Sequence, residues 1–167
     1  MDINNSVEVP FRITSEVMDL VTEHTFTCLP EEACGILLGN TTEGTLQLDG
    51  YIPVPNRAAD PLHHFSLDPE IWTSLLFNEP RICGLFHSHP TSPPAPSKED
   101  LLQLQSFGGL LQVYFIGSPL RFDSKELSLR AYRIMRKPII ATASKPHEAL
   151  EPWILKAVDY TTILDST

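Results

Sequence analysis

Cys83-Gly-Leu-Phe-His-Ser-His-Pro90, continued by Thr91-Ser-Pro-Pro-Ala-Pro-Ser-Lys-Glu-Asp100, is the stretch whose reading decides the fold. Its first half is a hydrophobic run bounded by Pro80 and Pro90, which predicts a buried strand. Side chains on a strand alternate faces, so His87 and His89 share one face and Ser88 takes the other. Prolines at 90, 93, 94 and 96 cannot continue a sheet. A helix is predicted next, with Ser97 as N-cap and acidic residues in its first turn. A helix starting there turns Asp100 back toward the two histidines. Two imidazoles, one carboxylate and a free position describe a catalytic zinc site, because structural zinc usually fills all four positions with protein atoms.

Each feature has an ordinary use when taken alone. A His-x-His is often surface or core filling, and an aspartate in a first helical turn commonly serves the helix dipole. Ser97 can be a cap and nothing more. Their conjunction across one proline loop is what points to a site.

These residues resemble the JAMM (MPN-plus) metalloprotease signature: His87-Ser-His89-Pro90, a spacer, then Ser97 and Asp100. That family also carries an upstream glutamate. Pro30-Glu-Glu32-Ala-Cys-Gly-Ile-Leu-Leu-Gly39 is similar to the form it takes in compact bacterial members. In element order the resemblance covers residues 11 to 135. It implies one zinc ion held by His87, His89 and Asp100, with Glu32 moving protons and Ser97 hydrogen-bonding the tetrahedral oxyanion. Glu31 is adjacent, and register alone does not separate it from Glu32; the Glu-Ala-Cys-Gly match favours Glu32.

The chain has 167 residues, the size of one domain with a proper core. At 42% hydrophobic and 20% charged it has the composition of a soluble globular protein. A net charge of −9 repels a phosphate backbone, so nucleic acid is not an expected partner. Cys28, Cys34 and Cys83 are odd in number and widely spaced, which gives neither a disulfide framework nor a CxxC zinc motif and suits a reducing compartment. Met1 to Asn5 shows no secretory n-region or h-region, and no apolar run reaches the roughly 20 residues of a membrane span. The expected setting is cytoplasmic, with no membrane partner.

Around the central stretch, residues 8 to 13 are read as a short strand. Thr14 or Ser15 then caps a helix with Val17, Leu20, Val21 and His24 on one face. Pro30 stops that segment, Ala33 to Leu38 reads as a buried strand, Gly39 to Gly44 as a turn, and Thr45 to Val54 as the hairpin partner. Asn56 to His64 is a loop. Asp68 and Pro69 then open a helix that buries Trp72, Leu75 and Leu76. His63 and His64 precede it and are not counted as ligands. After a helix from Lys98 to about Phe107, strands are expected at Leu110 to Ile116 and Leu127 to Ile134. The division is a catalytic domain, 1–136, and a C-terminal tail, 137–167, whose Trp153, Ile154 and Leu155 pack on the domain or meet another subunit.

This order makes an α/β sandwich with a mixed β-sheet flanked by helices, and the resemblance implies the MPN fold, which is like that of cytidine deaminases. Those enzymes carry H-x-E with P-C-x-x-C, and this chain has neither. Two neutral histidines and one carboxylate leave a formal charge of +1 on Zn²⁺, which lowers the pKa of water at the site from 15.7 toward about 7. A carboxylate that takes the proton and returns it to the leaving amine completes an amide hydrolase. Cys34 and Cys83 adjoin the site motifs and thiolate is a good zinc ligand, yet both lie in apolar runs where free cysteine packs as a small hydrophobe.

The resemblance implies a zinc metallopeptidase that cuts a peptide or isopeptide bond after the C-terminal Gly-Gly of a ubiquitin-like or sulfur-carrier protein. The extended tail is expected to add a strand to an exposed sheet edge. The short stretch between Gly39 and His87 leaves little room for linkage-selecting insertions. A non-catalytic MPN-type scaffold and a metallohydrolase of a small amide are the alternatives. Neither the substrate nor the oligomeric state can be read from these residues.

Overall fold

The structure is a computed structural model that describes residues 11–138 and 151–165. Residues 8–10 of the first expected strand and residues 139–150 of the tail lie outside the described residues. Strand β1 (Phe11–Thr14) runs directly into helix α1 (Ser15–Cys28), where the Thr14 hydroxyl oxygen accepts the Val17 N–H at 3.3 Å and caps the helix. The buried stripe of α1 is Val17, Val21 and Thr25, a strict four-residue spacing. Leu20 falls beside that stripe and is 40% exposed, not buried as its periodicity suggests.

Strands β2 (Cys34–Thr42) and β3 (Thr45–Val54) form a hairpin closed by Glu43 and Gly44, whose φ angles of 51° and 76° give the left-handed pair that matches strand twist. The turn is shorter than Gly39 to Gly44, because Asn40, Thr41 and Thr42 pair with Gln47, Leu46 and Thr45. Helix α2 (Pro69–Asn78) begins as expected: the Asp68 carboxylate accepts the N–H groups of Glu70 and Ile71, and Pro69 takes the first position. Trp72 and Leu75 are half-buried against the core, whereas Leu76 faces solvent.

Strand β4 (Ile82–Ser88), helix α3 (Lys98–Leu104), strands β5 (Val113–Arg121) and β6 (Glu126–Arg136), and the late strands β7 (Trp153–Val158) and β8 (Tyr160–Ile163) follow among the described residues. Helix α3 ends three residues before Phe107, since the chain turns through residues 105–110 to reach β5. The mixed sheet has the order β7-β6-β5-β4-β2-β3-β1-β8. Helix α1 covers one face over Phe11, Ile13, Leu37, Leu48, Phe86 and Phe115. On the other face α2 and α3 pack with Ile36, Phe65, Leu85, Phe107, Tyr114 and Ile116. Helices on both faces of a mixed sheet make the α/β sandwich expected from the element order.

Strand β4 is central. It pairs antiparallel with β2, Cys34 opposite His87, and parallel with β5, His87 opposite Ile116. A register shift against β2 skips Cys83, so that side chain falls with the α1-side core.

The last two strands close the sheet. β7 pairs with β6 and β8 with β1, at opposite ends of the strand order, yet only Asp159 separates them. One residue spans at most about 3.6 Å, so the two ends of the sheet must lie side by side. Contacts across the seam agree: the Arg133 guanidinium sits 4.7 Å above the Phe11 ring, and the Tyr160 hydroxyl donates to Leu129 O at 3.1 Å. Among the described residues no helix is long and apolar enough to cross a membrane.

Candidate metal centre and active site

Strand β4 delivers His87 with its side chain 0% exposed, and the chain stays extended for one residue past the strand, where the His89 N–H donates to Gly117 O at 2.8 Å. Both imidazoles therefore fall on the same side, as alternation predicts, with ring centroids 4.8 Å apart. The proline loop ends at Ser97, whose hydroxyl oxygen accepts the Asp100 N–H at 3.0 Å while Asp100 Oδ2 accepts the Ser97 N–H at 2.9 Å. This capping box fixes the first turn of α3 and aims the Asp100 carboxylate at the histidines.

Three donor atoms converge. His87 Nε2 lies 3.0 Å from His89 Nε2 and 3.3 Å from Asp100 Oδ2, and His89 Nε2 lies 3.1 Å from the same oxygen. His89 Nδ1 is 2.8 Å from the carbonyl of Pro93. A carbonyl only accepts, so Nδ1 carries a hydrogen, and Nε2 is the nitrogen that faces the site: protonated it donates to Asp100, and with that proton gone it offers a lone pair to a metal. The His87 ring is held between Phe65, stacked at 4.5 Å, and Tyr114, edge-on at 5.4 Å. A tetrahedral ion with bonds of 2.0–2.1 Å separates its ligands by about 3.3 Å, so this donor set fits zinc. His87, His89 and Asp100 are also the only group of metal-ligating side chains this close together among the described residues.

Burial shapes the charges. It lowers the pKa of His87, against the pull of Asp100. Burial alone would raise the Asp100 carboxyl, but hydrogen bonds from His87 and His89 outweigh it and hold Asp100 far below the usual carboxylate range. For His89, burial is outweighed by the hydrogen bonds to Asp100 and Pro93 O, and its pKa rises.

Between α1 and β2 the two adjacent glutamates part company. Glu31 is exposed, whereas Glu32 is 5% exposed and its Oε2 is buried with no hydrogen-bond partner among the described residues. Burial pushes the Glu32 carboxyl up to about 8; nearby His89 opposes the rise, and Asp100 and Asp60 add to it. Its backbone is pinned on both sides: Glu32 N–H donates to Pro61 O at 2.8 Å, and Asn56 Nδ2 donates to Glu32 O at 3.1 Å. The next residue is locked to the metal strand, with Ala33 N–H donating to Ser88 Oγ at 2.8 Å and Ser88 N–H to Ala33 O at 2.9 Å. Ser88, on the far face of the strand as alternation predicts, thus ties the glutamate segment to the histidine segment. A cleft of about 390 Å³ beside Glu32 is lined by His24, Cys28, Cys34 and Pro53 to Asn56.

Asn56 was not a candidate in the sequence. It accepts from Ala58 N and Ser66 N and donates to Glu32 O and His64 O, so one side chain organises the whole loop against the buried acid. An asparagine followed by a long loop before an Asp-Pro helix start was the available signal. Cys34 and Cys83 pack: their S–H groups face the carbonyls of Val54 and Leu37, and burial pushes both thiols up to about 12. His63 and His64 are exposed, and His63 pairs with Asp60 at 2.9 Å.

Residues 14–134 match the family described as prokaryotic homologues of the JAB domain. The desampylase of Haloferax volcanii is 38% identical over 94 residues, which span 54% of this chain and 64% of that protein, under two thirds of its length. Two solved structures share the fold. A protein from Desulfitobacterium hafniense aligns with a TM-score of 0.63 at 23% identity, covering 94% of each chain. A JAB1/MPN domain protein from Archaeoglobus fulgidus aligns with a TM-score of 0.52 at 16% identity, covering 92% of this chain and 98% of the other. With a JAMM-type His-x-His, Ser and Asp arrangement inside the matched residues, this chain belongs to the prokaryotic homologues of the JAB domain, as a compact member of the JAMM/MPN family.

Proposed function

We propose that this chain is a zinc-dependent peptidase or isopeptidase that hydrolyses the amide bond after the C-terminal Gly-Gly of a ubiquitin-like or sulfur-carrier protein. One observation carries the reading: three donor atoms lie within 3.3 Å of one another beside a buried acid whose Oε2 has no partner among the described residues. Zinc held by His87, His89 and Asp100 would make water nucleophilic at neutral pH and polarise the scissile carbonyl. Glu32 moves the protons. A cation bound beside this buried acid would favour its ionised form, and the unpartnered Oε2 could then take a proton from water and return it to the leaving amine. Ser97 Oγ uses a lone pair to accept the Asp100 N–H, which leaves its own hydrogen free to donate to the carbonyl oxygen as negative charge grows there.

The match to desampylase supports a ubiquitin-like conjugate as substrate. All three cysteines are unpaired, in keeping with a reducing, cytoplasmic setting. Strand addition beside the metal is not open to β4, because β2 and β5 occupy both its flanks as far as His87 and Ser88. The tail instead crosses the ends of these strands along the cleft beside Glu32. Residues next to the scissile bond must be small there, and glycine has no Cβ to collide with the ligands or the proline loop.

Mass spectrometry of a carrier fusion incubated with zinc-loaded protein tests the proposal, beside a Gly→Ala fusion at the scissile position. Cleavage after Gly-Gly with the alanine fusion left intact is the expected result. Equal cleavage of both would leave only a general metallopeptidase. Zinc-loaded protein that cuts no carrier fusion would turn the reading to a binding scaffold.

A further inference from the structure

The loop between β4 and α3 is rich in proline, and proline has no N–H with which to hold a loop to itself. It is held from outside instead. Three consecutive carbonyls each accept from a different strand or its extension: Ser92 O from Ser118 Oγ of β5 at 2.7 Å, Pro93 O from His89 Nδ1 at 2.8 Å, and Pro94 O from the Tyr132 hydroxyl of β6 at 2.7 Å. Pro93 O accepts the Ala95 N–H as well, also at 2.8 Å. Tyr132 is 6% exposed, its ring lies in the core beneath the loop, and it stands opposite Tyr114 in the β5–β6 ladder. It is a rigid post, whereas Thr91, Ser92, Pro93 and Ala95 are exposed.

We propose that Tyr132 is a positioning residue for His89: by holding Pro94 O it aims the neighbouring Pro93 carbonyl at His89 Nδ1 and so keeps the lone pair on Nε2, where the other donors converge. The inference rests on reading His89 as a metal ligand. Ser118, gripping the carbonyl on the other side of Pro93, acts in the same direction. With either grip lost the Pro93 carbonyl is freer to turn, Nδ1–H loses its fixed acceptor, and the neutral imidazole can place its hydrogen on Nε2, against the site. A ligating histidine whose outer partner is lost typically binds metal 10- to 100-fold more weakly.

The test uses the full chain and its Tyr132→Phe variant, which removes one hydroxyl and keeps the ring. Tyr160→Phe is the control: it loses a comparable hydroxyl-to-carbonyl bond, Tyr160 to Leu129 O at 3.1 Å, at the seam of the sheet. In metal-free protein, at a pH where the ring is neutral, ¹⁵N spectra of the imidazoles should show His89 as the Nδ1–H tautomer in the parent and in Tyr160→Phe. In Tyr132→Phe they should show a mixture. Zinc affinity, measured by chelator competition, should fall about tenfold or more in Tyr132→Phe alone. If Tyr132→Phe does not fold, Ser118→Ala carries the same two measurements. A parent-like tautomer and affinity in the loop-side variant overturns the proposal, and so does an equal loss in Tyr160→Phe. A parent chain that takes up no zinc overturns the ligand reading of His89, and the tautomer measurement then decides the positioning role by itself.

Discussion

Replacing His89 with alanine removes one of three converging donors and leaves the core side chains of β4 in place. The variant is expected to stay folded and lose zinc, and full metal occupancy by elemental analysis would contradict the ligand set. Glu32→Gln separates holding metal from moving protons: it should keep zinc and lose turnover by about 10²-fold or more, and near-parental rates would pass the proton to another group. The same substitution has a signature in metal-free protein. Glu32 has a folded pKa of about 8, raised from 4.5, so between those values the folded state binds the proton that the unfolded state has released. The stability this contributes is present at acid pH and lost as pH rises through about 8. Glutamine stays neutral, so the Tm of Glu32→Gln minus that of the parent should grow from pH 5 to pH 9; identical pH slopes would refute the buried, raised acid. His87, His89 and Asp100 were legible because strand alternation and a helix start are local rules. Glu32 and Glu31 were not separable by rule, since consecutive residues in an irregular segment carry no period. Asn56 and Tyr132 left little trace because they act on backbone carbonyls 24 and 38 residues away, and any residue type supplies a carbonyl.

Helix α3 begins with a serine given two tasks, and two substitutions distinguish them. Ser97→Ala loses the cap and should cost about 1 kcal/mol of stability, whereas glycine at an N-cap costs only a few tenths. If the hydroxyl also donates to the reacting carbonyl oxygen, both variants lose the same turnover despite unequal Tm. Activity that follows Tm instead would leave Ser97 as a cap alone. The loop from Asn56 to Ser66 offers a second comparison. Asn56→Ala releases four hydrogen bonds to or from the backbone that supports Glu32, so kcat should fall about tenfold or more while zinc affinity, set on the other side of the site, holds. Helix starts were legible because Ser97 and Asp68-Pro69 carry their signals locally. The expected strand at Leu110 began late, at Val113, because apolar character alone does not mark where the chain finishes turning from α3.

Across the whole molecule, the metal helix is braced by the end of the fold. Gln105 exchanges two hydrogen bonds with the Trp153 backbone at 3.0 Å, and the Trp153 ring lies so close to Gly108 that an added Cβ would meet it at 2.1 Å. Gly108→Ala should therefore push β7 off and cost about 1–3 kcal/mol, lowering Tm by roughly 2 to 10 °C, with tryptophan fluorescence reporting the displaced ring. A Tm equal to the parent's would show that β7 gives way freely. The role of this ribbon was not legible: residues 153–158 lack a clean two-residue alternation, and nothing local says that one strand is shared between both ends of a sheet. That sharing bears on how the protein is made. All the proposed ligands have left the ribosome once residue 100 has emerged, but the closing ribbon is synthesised more than fifty residues later. At about 5–20 residues per second, β1 waits roughly 7 to 30 s and β6 roughly 1 to 3 s as bare strand borders. The newborn chain is most open to pairing with a neighbour in that interval, and the arrival of Trp153 to Ile163 ends it at both borders at once.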